Sequence, residues 1–280
     1  MGWIDFILNL AGLLLWLNWR SMGFAQVPAS AKNPLLRTLK RPEARRSKRW
    51  LYLIGLGVLL LFRPVIYRHV GSALDWTPHL QLNVLSLPFR SDLPDRMLWY
   101  SLLSFAMAFF LFYSWLLLLS VINGAETESD ALQKLVSLHL GWIDRLPAYA
   151  KIVLPELAAC LVWVALAPLF AKAGILPAPA SVAQTWEQGL VLGLVTFLAW
   201  KWLLVGILLL HLLNSYVYLG ESPLLNFVTL TAGHLLKPLQ PLRMQVQKVD
   251  FAPLVGVGLV VLLEYFGSRL LSGLYGRLSL

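Results

Sequence analysis

Apolar residues run through this chain in blocks long enough to cross a bilayer. A helix needs about 20 consecutive, mostly apolar residues to traverse about 30 Å of hydrocarbon. Met97–Ile122 meets that requirement without a single charged residue. Gln188–Tyr218 is interrupted only by Lys201 and His211, and Phe251–Leu274 carries Glu264 and Arg269. Leu157–Ala171 is apolar and extends back through Pro155 and Glu156. Trp50–Phe62 is apolar and then meets Arg63 and Pro64, which predicts a short or distorted span. Trp3–Trp19 contains Asp5, Asn9 and Asn18, and is either a sixth span or an amphipathic helix lying in the interface. The pattern predicts an all-α membrane protein with five to six transmembrane helices.

Shorter amphipathic stretches lie between some of these blocks. Pro223–Arg243 has apolar residues at Leu224, Phe227, Val228, Leu235 and Leu236, close to helical spacing. Pro223 suits a first helical turn, and Pro238 and Pro241 stop the helix. Asp130–Leu146, ahead of Pro147, reads the same way. Each is long enough to lie on a membrane and too short and polar to cross one. The order of span, polar break, amphipathic stretch and span occurs twice. A shift of 91 positions sets Asn123 on Asn214, Asp130 on Glu221 and Pro147 on Pro238, and Pro155 falls near Pro253 once about seven residues are allowed in the second loop. Two repeated helical hairpins are therefore expected, each with an interfacial amphipathic helix, over residues 97–185 and 186–280. Residues 1–96 form an N-terminal extension with one or two membrane helices and a basic loop.

Composition agrees with burial in lipid. The chain has 280 residues, of which 58% are hydrophobic and 13% charged, with mean hydropathy +0.69. Soluble domains carry about 25% charged residues, because their surface must be wetted. The net charge of +9 is concentrated in Lys32, Arg37, Lys40, Arg41, Arg45, Arg46, Lys48 and Arg49. That run lies between the first two apolar blocks, so it is expected to set topology and to touch anionic headgroups or an acidic partner, and not nucleic acid. Lys134, Arg145, Lys151, Lys237, Arg243 and Lys248 fall in the loops before the fourth and sixth blocks, which puts those loops and the first basic run in the cytoplasm. The C-terminus is then outside, and so is the N-terminus if the first block spans. The first residues carry Asp5 and no Lys or Arg, a poor match to a secretory signal. The lone Cys160 in an apolar run reads as a small core hydrophobe.

The residues around the second amphipathic stretch resemble the YggT family, small bacterial membrane proteins with plastid relatives called YlmG. Ser222-Pro223-Leu224-Leu225-Asn226-Phe227 matches the family's Asn-Pro helix start, with Ser222 in place of the usual Asn. Thr231, Pro238, Pro241 and Arg243 match its Thr…Pro…Pro-x-Arg run, and Asp250-Phe251-Ala252-Pro253 matches its Asp-x-Ser-Pro entry to the last span. The likeness covers about Met97 to Leu274. The first copy lacks the paired prolines and the arginine. The resemblance implies a two-repeat protein of the bacterial cytoplasmic membrane. Family members have been linked to osmotic-stress tolerance, to division or nucleoid distribution, and in plastids to haem attachment on a cytochrome b subunit. It supplies no catalytic residue to carry over.

Lys201 and Glu264 are the leading candidate site. Each lies about 13 residues, or about 20 Å, from the surface its helix enters, so both reach the middle of the bilayer. A charge there costs about 3 kcal/mol unless paired or hydrated. An intramembrane Lys201–Glu264 pair is expected, chiefly as a clamp between helices and alternatively as part of an ion or proton path. His69, His79, His139, His211 and His234 show no metal-ligand spacing, although His139 and His234 occupy related places in the two amphipathic stretches. Gly256 and Gly258 would allow close helix packing. Trp16, Trp19, Trp50, Trp99, Tyr100, Trp186 and Tyr218 lie near span ends, as an interface belt does. With no Gly-x-Ser-x-Gly and no catalytic set at usable spacing, neither enzyme, metal nor cofactor is expected. Two functions remain: a membrane scaffold or assembly factor working with a membrane-protein partner or a second copy of the chain, and a small channel or transporter serving osmotic or ion homeostasis.

Overall fold

The computed structural model describes residues 2–24, 43–73, 77–124, 131–177, 179, 181–217, 220, 222–242, 245–246 and 249–278. Helices dominate: α1 (Gly2–Phe24), α2 (Glu43–Ala73), α3 (Pro94–Asn123), α4 (Ala131–Leu140), α5 (Ala148–Lys172), α6 (Val182–Ala199), α7 (Lys201–Tyr216), α8 (Pro223–Leu236) and α9 (Ala252–Leu278). Six helical stretches are long and apolar enough to cross a membrane: Gly2–Met22, Arg49–Gly71, Pro94–Asn123, Ala148–Lys172, Val182–Tyr216 and Ala252–Leu278. The chain is a multi-pass α-helical membrane protein. It forms two compact units, Met1–Leu80 with Pro88–Phe110, and Gln81–Leu87 with Leu111–Leu280, so α3 begins in the first and ends in the second.

In the first unit α1 and α2 form an antiparallel hairpin tied at both ends. Arg63 Nη2 lies 2.7 Å from Asp5 Oδ1. At the other end the Arg49 side chain donates to the Trp19 carbonyl at 3.2 Å, its guanidinium 4.6 Å above the Trp19 ring. Asp5 and Trp19 are fourteen residues apart, as are Arg49 and Arg63. Both helices thus advance about 21 Å between the two ties. This register sets α1 antiparallel to α2 over a stretch long enough to span. The short reading of the second span is corrected, because α2 continues through Pro64 to Ala73. Proline has no N–H to give the carbonyl four residues earlier. That carbonyl, on Leu60, instead accepts the Ser101 hydroxyl of α3 at 2.9 Å. Phe105 and Phe109 extend the same α3 face, where Gly12 of α1 leaves room for the Phe105 ring and Trp16 meets Phe109 edge-on at 5.1 Å.

In the second unit α5 and α6 are an antiparallel pair in close contact. Gly189 and Gly193 make the closeness possible. A Cβ at Gly193 would sit 2.8 Å from the Glu156 carbonyl oxygen, and one at Gly189 would sit 3.1 Å from Cys160 Sγ. Glycines four apart on one helix face bring two backbones together, where dispersion replaces the hydrophobic effect that lipid cannot supply. α7 and α9 pack alongside, with α8 against α7; Ile207, Leu208, Val228, Ala232, Leu236 and Ala252 form their common core. Gly256 gives the α9 backbone its approach to Leu208 and Leu236, whereas Gly258 faces open space. A second apolar cluster, Leu116, Leu117, Val136 and Leu140, seats α4 on the end of α3. In element order, a long helix, a short helix, a 3₁₀ turn and a long helix occur twice, with turns at Gly141–Arg145 and Lys237–Leu242.

Replacing Gly193 with Ala forces the α6 backbone off Glu156, whose main chain cannot yield as a side chain would. The expected cost is about 1–3 kcal/mol, seen as a lowered thermal midpoint in mild detergent. Gly206→Ala, whose Cβ meets nothing within 4 Å, leaves the midpoint unchanged or raises it. Equal midpoints for the two variants would refute the glycine seam.

Candidate functional site

The Lys201–Glu264 pair sits where the fifth span breaks. α6 ends at Ala199 and α7 starts at Lys201, with Trp200 between them. Backbone bonding tightens there: the Trp200 N–H donates to the Phe197 carbonyl at 3.2 Å. The Ala199 carbonyl accepts the Trp115 indole N–H at 3.2 Å, and the Trp200 indole N–H donates to Ser114 Oγ at 2.6 Å. Two adjacent residues of α3 therefore bind the two residues at the break. A helix interruption inside hydrocarbon persists only where such partners satisfy the freed backbone.

Lys201 Nζ lies 2.7 Å from Glu264 Oε1, with the two side chains 23% and 22% exposed. The ammonium is also 5.0 Å from the Trp202 ring centroid. The pair joins α7 to α9 partway along two candidate spans, where an attractive contact replaces two separate desolvation costs. Its residual exposure distinguishes it from a fully enclosed structural ion pair.

Two further networks were only partly visible in the sequence. In the first unit, Arg63 is fully buried. Its guanidinium donates to Asp5 at 2.7 Å, to Asn9 Oδ1 at 2.8 Å and to the Tyr67 hydroxyl at 2.7 and 3.0 Å. Tyr67 and Ser104 donate in turn to the two Asp5 oxygens, at 2.6 and 2.7 Å. Both carboxylate oxygens and all three guanidinium nitrogens are engaged, which leaves a tie between α1, α2 and α3 and no vacant ligand position.

In the second unit, Lys151 Nζ lies 3.0 Å from Asp144 and 2.7 Å from the Ser120 hydroxyl, which itself donates to Asp144. Burial acts to raise the Asp144 carboxyl, but hydrogen bonds from Ser120, Ser137 and Lys151 and the Lys151 charge outweigh it and hold it below the usual carboxylate range. Here Lys151 donates to Ser120 and is itself held by Asp144, so the trio ties the α4–α5 turn to α3.

The amphipathic helices meet at the end of α3. Asn123 Nδ2 donates to Thr231 Oγ1 at 3.1 Å and to Gln133 Oε1 at 3.4 Å, and His234 Nδ1 lies 3.3 Å from Asn123 Oδ1. One amide thus joins α4 and α8, which also touch directly. Thr231, fully buried, hydrogen-bonds back to the Phe227 carbonyl at 2.7 Å. His139 Nδ1 lies 2.8 Å from the Leu135 carbonyl on its own helix. Among the described residues no three His, Cys, Asp or Glu side chains converge on a metal position.

The remaining motif residues are spread out. Ser222 caps α8, accepting the Leu225 N–H at 3.2 Å, and Pro223 occupies the first turn. Ser and Asn cap helices about equally well. Asn226 is exposed and Pro253 is buried at the start of α9. Pro238 and Pro241 fall in the 3₁₀ turn after α8, and Asp250 in a two-residue strand paired with Gln245–Val246. The side chains of Pro241 and Asp250 lie outside the described residues, as does Arg243. Of the basic run, Arg49 binds Trp19. Arg37, Lys40 and Arg41 lie outside the described residues, as do the side chains of Arg45, Arg46 and Lys48 at the start of α2.

Lys201→Met and Glu264→Gln each leave a charge unpaired in hydrocarbon and are expected to cost about 1–3 kcal/mol. The double change should cost less than the sum, with a coupling of about 1 kcal/mol; strict additivity in detergent unfolding would show that the pair contributes nothing. The Asp144 tie has a predicted pH signature. Because its folded carboxyl is held low, its stabilisation is present above the unfolded value of about 3.9 and disappears as pH falls through the folded value. The thermal midpoint of Asp144→Asn should lie below that of the parent at neutral pH, and the gap should close below about pH 4.

No protein-family model, curated protein or solved structure matches this chain, and what it does is read from the geometry above.

Proposed function

We propose that this chain is a non-catalytic scaffold or assembly factor of the YggT type in the bacterial cytoplasmic membrane, built from an internal duplication and acting through a platform made by α4 and α8. The observation that carries this reading is the Asn123 node, which ties one short helix from each half to a single helix end. Beside it the chain exposes Trp142 at 71% and Tyr149 at 73%, together with Leu135, Leu138 and Arg145. Exposed aromatics with a flanking cation suit a headgroup layer or the membrane-proximal part of a partner. Positive charge in the same loops supports a cytoplasmic platform in contact with anionic lipid.

A second reading, a small channel or transporter, has one specific observation in its favour: the partly exposed Lys201–Glu264 pair beside a broken span, an arrangement transporters use around a mid-membrane site. Against it, the ammonium and carboxylate neutralise each other at 2.7 Å.

Reconstitution into proteoliposomes separates the two. Proton, potassium and chloride flux should not exceed that of protein-free vesicles. Flux above that level, abolished by Glu264→Gln, would overturn the scaffold reading. In cells, a photo-crosslinker at Trp142 or Tyr149 should capture a membrane-protein partner in defined adducts, whereas one at the exposed Leu263 of α9 should react with lipid alone.

A further inference from the structure

Five acidic side chains lie in the spanning helices among the described residues: Asp95 and Glu187, both exposed, and Asp5, Glu264 and Glu156. Asp5 is paired with Arg63, and Glu264 with Lys201. Glu156 is different. Its Oε1 is buried with no hydrogen-bond partner among the described residues. It stands eight residues into the span that starts at Ala148, about 12 Å along the helix.

Its surroundings offer nothing to neutralise a charge. Cys160 and Trp163, one and two turns further along α5, are buried, and the Trp163 indole N–H likewise has no acceptor there. The helix packed along α5 is α6, and between Gly189 and Ala199 it carries no ionisable side chain. Glu187 lies six residues from Gly193, about 9 Å toward the opposite end of the pair, and is exposed. Lys151, five residues before Glu156 on α5, is held by Asp144 and Ser120. At the level of Glu156 the α6 backbone is so close that a Cβ on Gly193 would strike the Glu156 carbonyl at 2.8 Å. A carboxylate anion here would have a buried oxygen, Oε1, with neither donor nor counter-charge among the described residues, whereas the un-ionised acid costs far less.

We propose that Glu156, within the α5 span, is an intramembrane proton-binding site carried as the un-ionised acid. The proposal does not depend on the scaffold reading, because a protein that conducts no ions can still hold this proton. Loss of the proton requires a donor or water beside the carboxylate.

Dicyclohexylcarbodiimide tests this on the whole protein in mild detergent, since it is apolar and reacts with un-ionised carboxyl groups in apolar surroundings. The acid O–H adds across one C=N bond, the proton going to nitrogen and the oxygen to the central carbon. Migration of the acyl group to nitrogen then leaves a stable N-acylurea, with no other reactant consumed. Mass spectrometry of the parent protein near neutral pH should find the adduct on Glu156, in excess over Asp5 and Glu264 by about tenfold or more, the change in un-ionised fraction made by one pH unit. Infrared spectra of the parent should contain a carbonyl stretch from an un-ionised carboxyl group that Glu156→Gln removes. Failure to label Glu156, or equal labelling of the ion-paired Glu264, would overturn the proposal whether or not the variant folds. Flux measurements bear on the scaffold reading and leave this result untouched.

Discussion

Hydrocarbon gives a charge nothing to bind, and the arrangement of this protein follows from that constraint. An ionised side chain buried in a span needs a counterpart, and where that lies on another element the position of the pair fixes how the two elements stand. Asp5 with Arg63 sets the register of α1 on α2, Lys201 with Glu264 that of α7 on α9, and Asp144 with Lys151 the turn before α5. Apolar faces alone would let these helices slide, because lipid competes for them on nearly equal terms. The pairs remove that freedom. They contribute more to specificity than to net stability, since much of the Coulombic gain only offsets desolvation.

The same accounting applies to the uncharged backbone. Pro64 leaves the Leu60 carbonyl without its usual donor, and Ser101 supplies one. The break at Trp200 leaves the Ala199 carbonyl short, and Trp115 supplies that. In both places the repair comes from α3, the long helix whose apolar character made it the plainest span in the sequence. Its serines and its asparagine, Ser101, Ser104, Ser114, Ser120 and Asn123, are all buried and each meets a group on another element.

Length and apolarity were legible directly, so the number and approximate limits of the spans could be read from the chain. The Lys201–Glu264 pair was legible too, because depth follows from residue count and charges at equal depth attract. Asp5, Asn9 and Arg63 were harder. Taken one segment at a time they looked like defects in two poor spans, and only the partner helix reveals that the defects complement each other. Gly189-x-x-x-Gly193 was open to reading as a packing motif, and passed unnoticed beside Gly256 and Gly258 because spacing alone does not say which glycines face a neighbour. The Asn123 node could not have been found by spacing, since its members are up to 111 residues apart.

The α1–α2 ties also govern how the chain enters the bilayer. Asp5 leaves the ribosome 58 residues before Arg63. Through that interval α1 carries an acid and an amide with no answering guanidinium, so it is poorly suited to settle alone in lipid. In lipid the two helices are therefore better accommodated together than apart, and the standing of α1 depends on a residue far downstream of it.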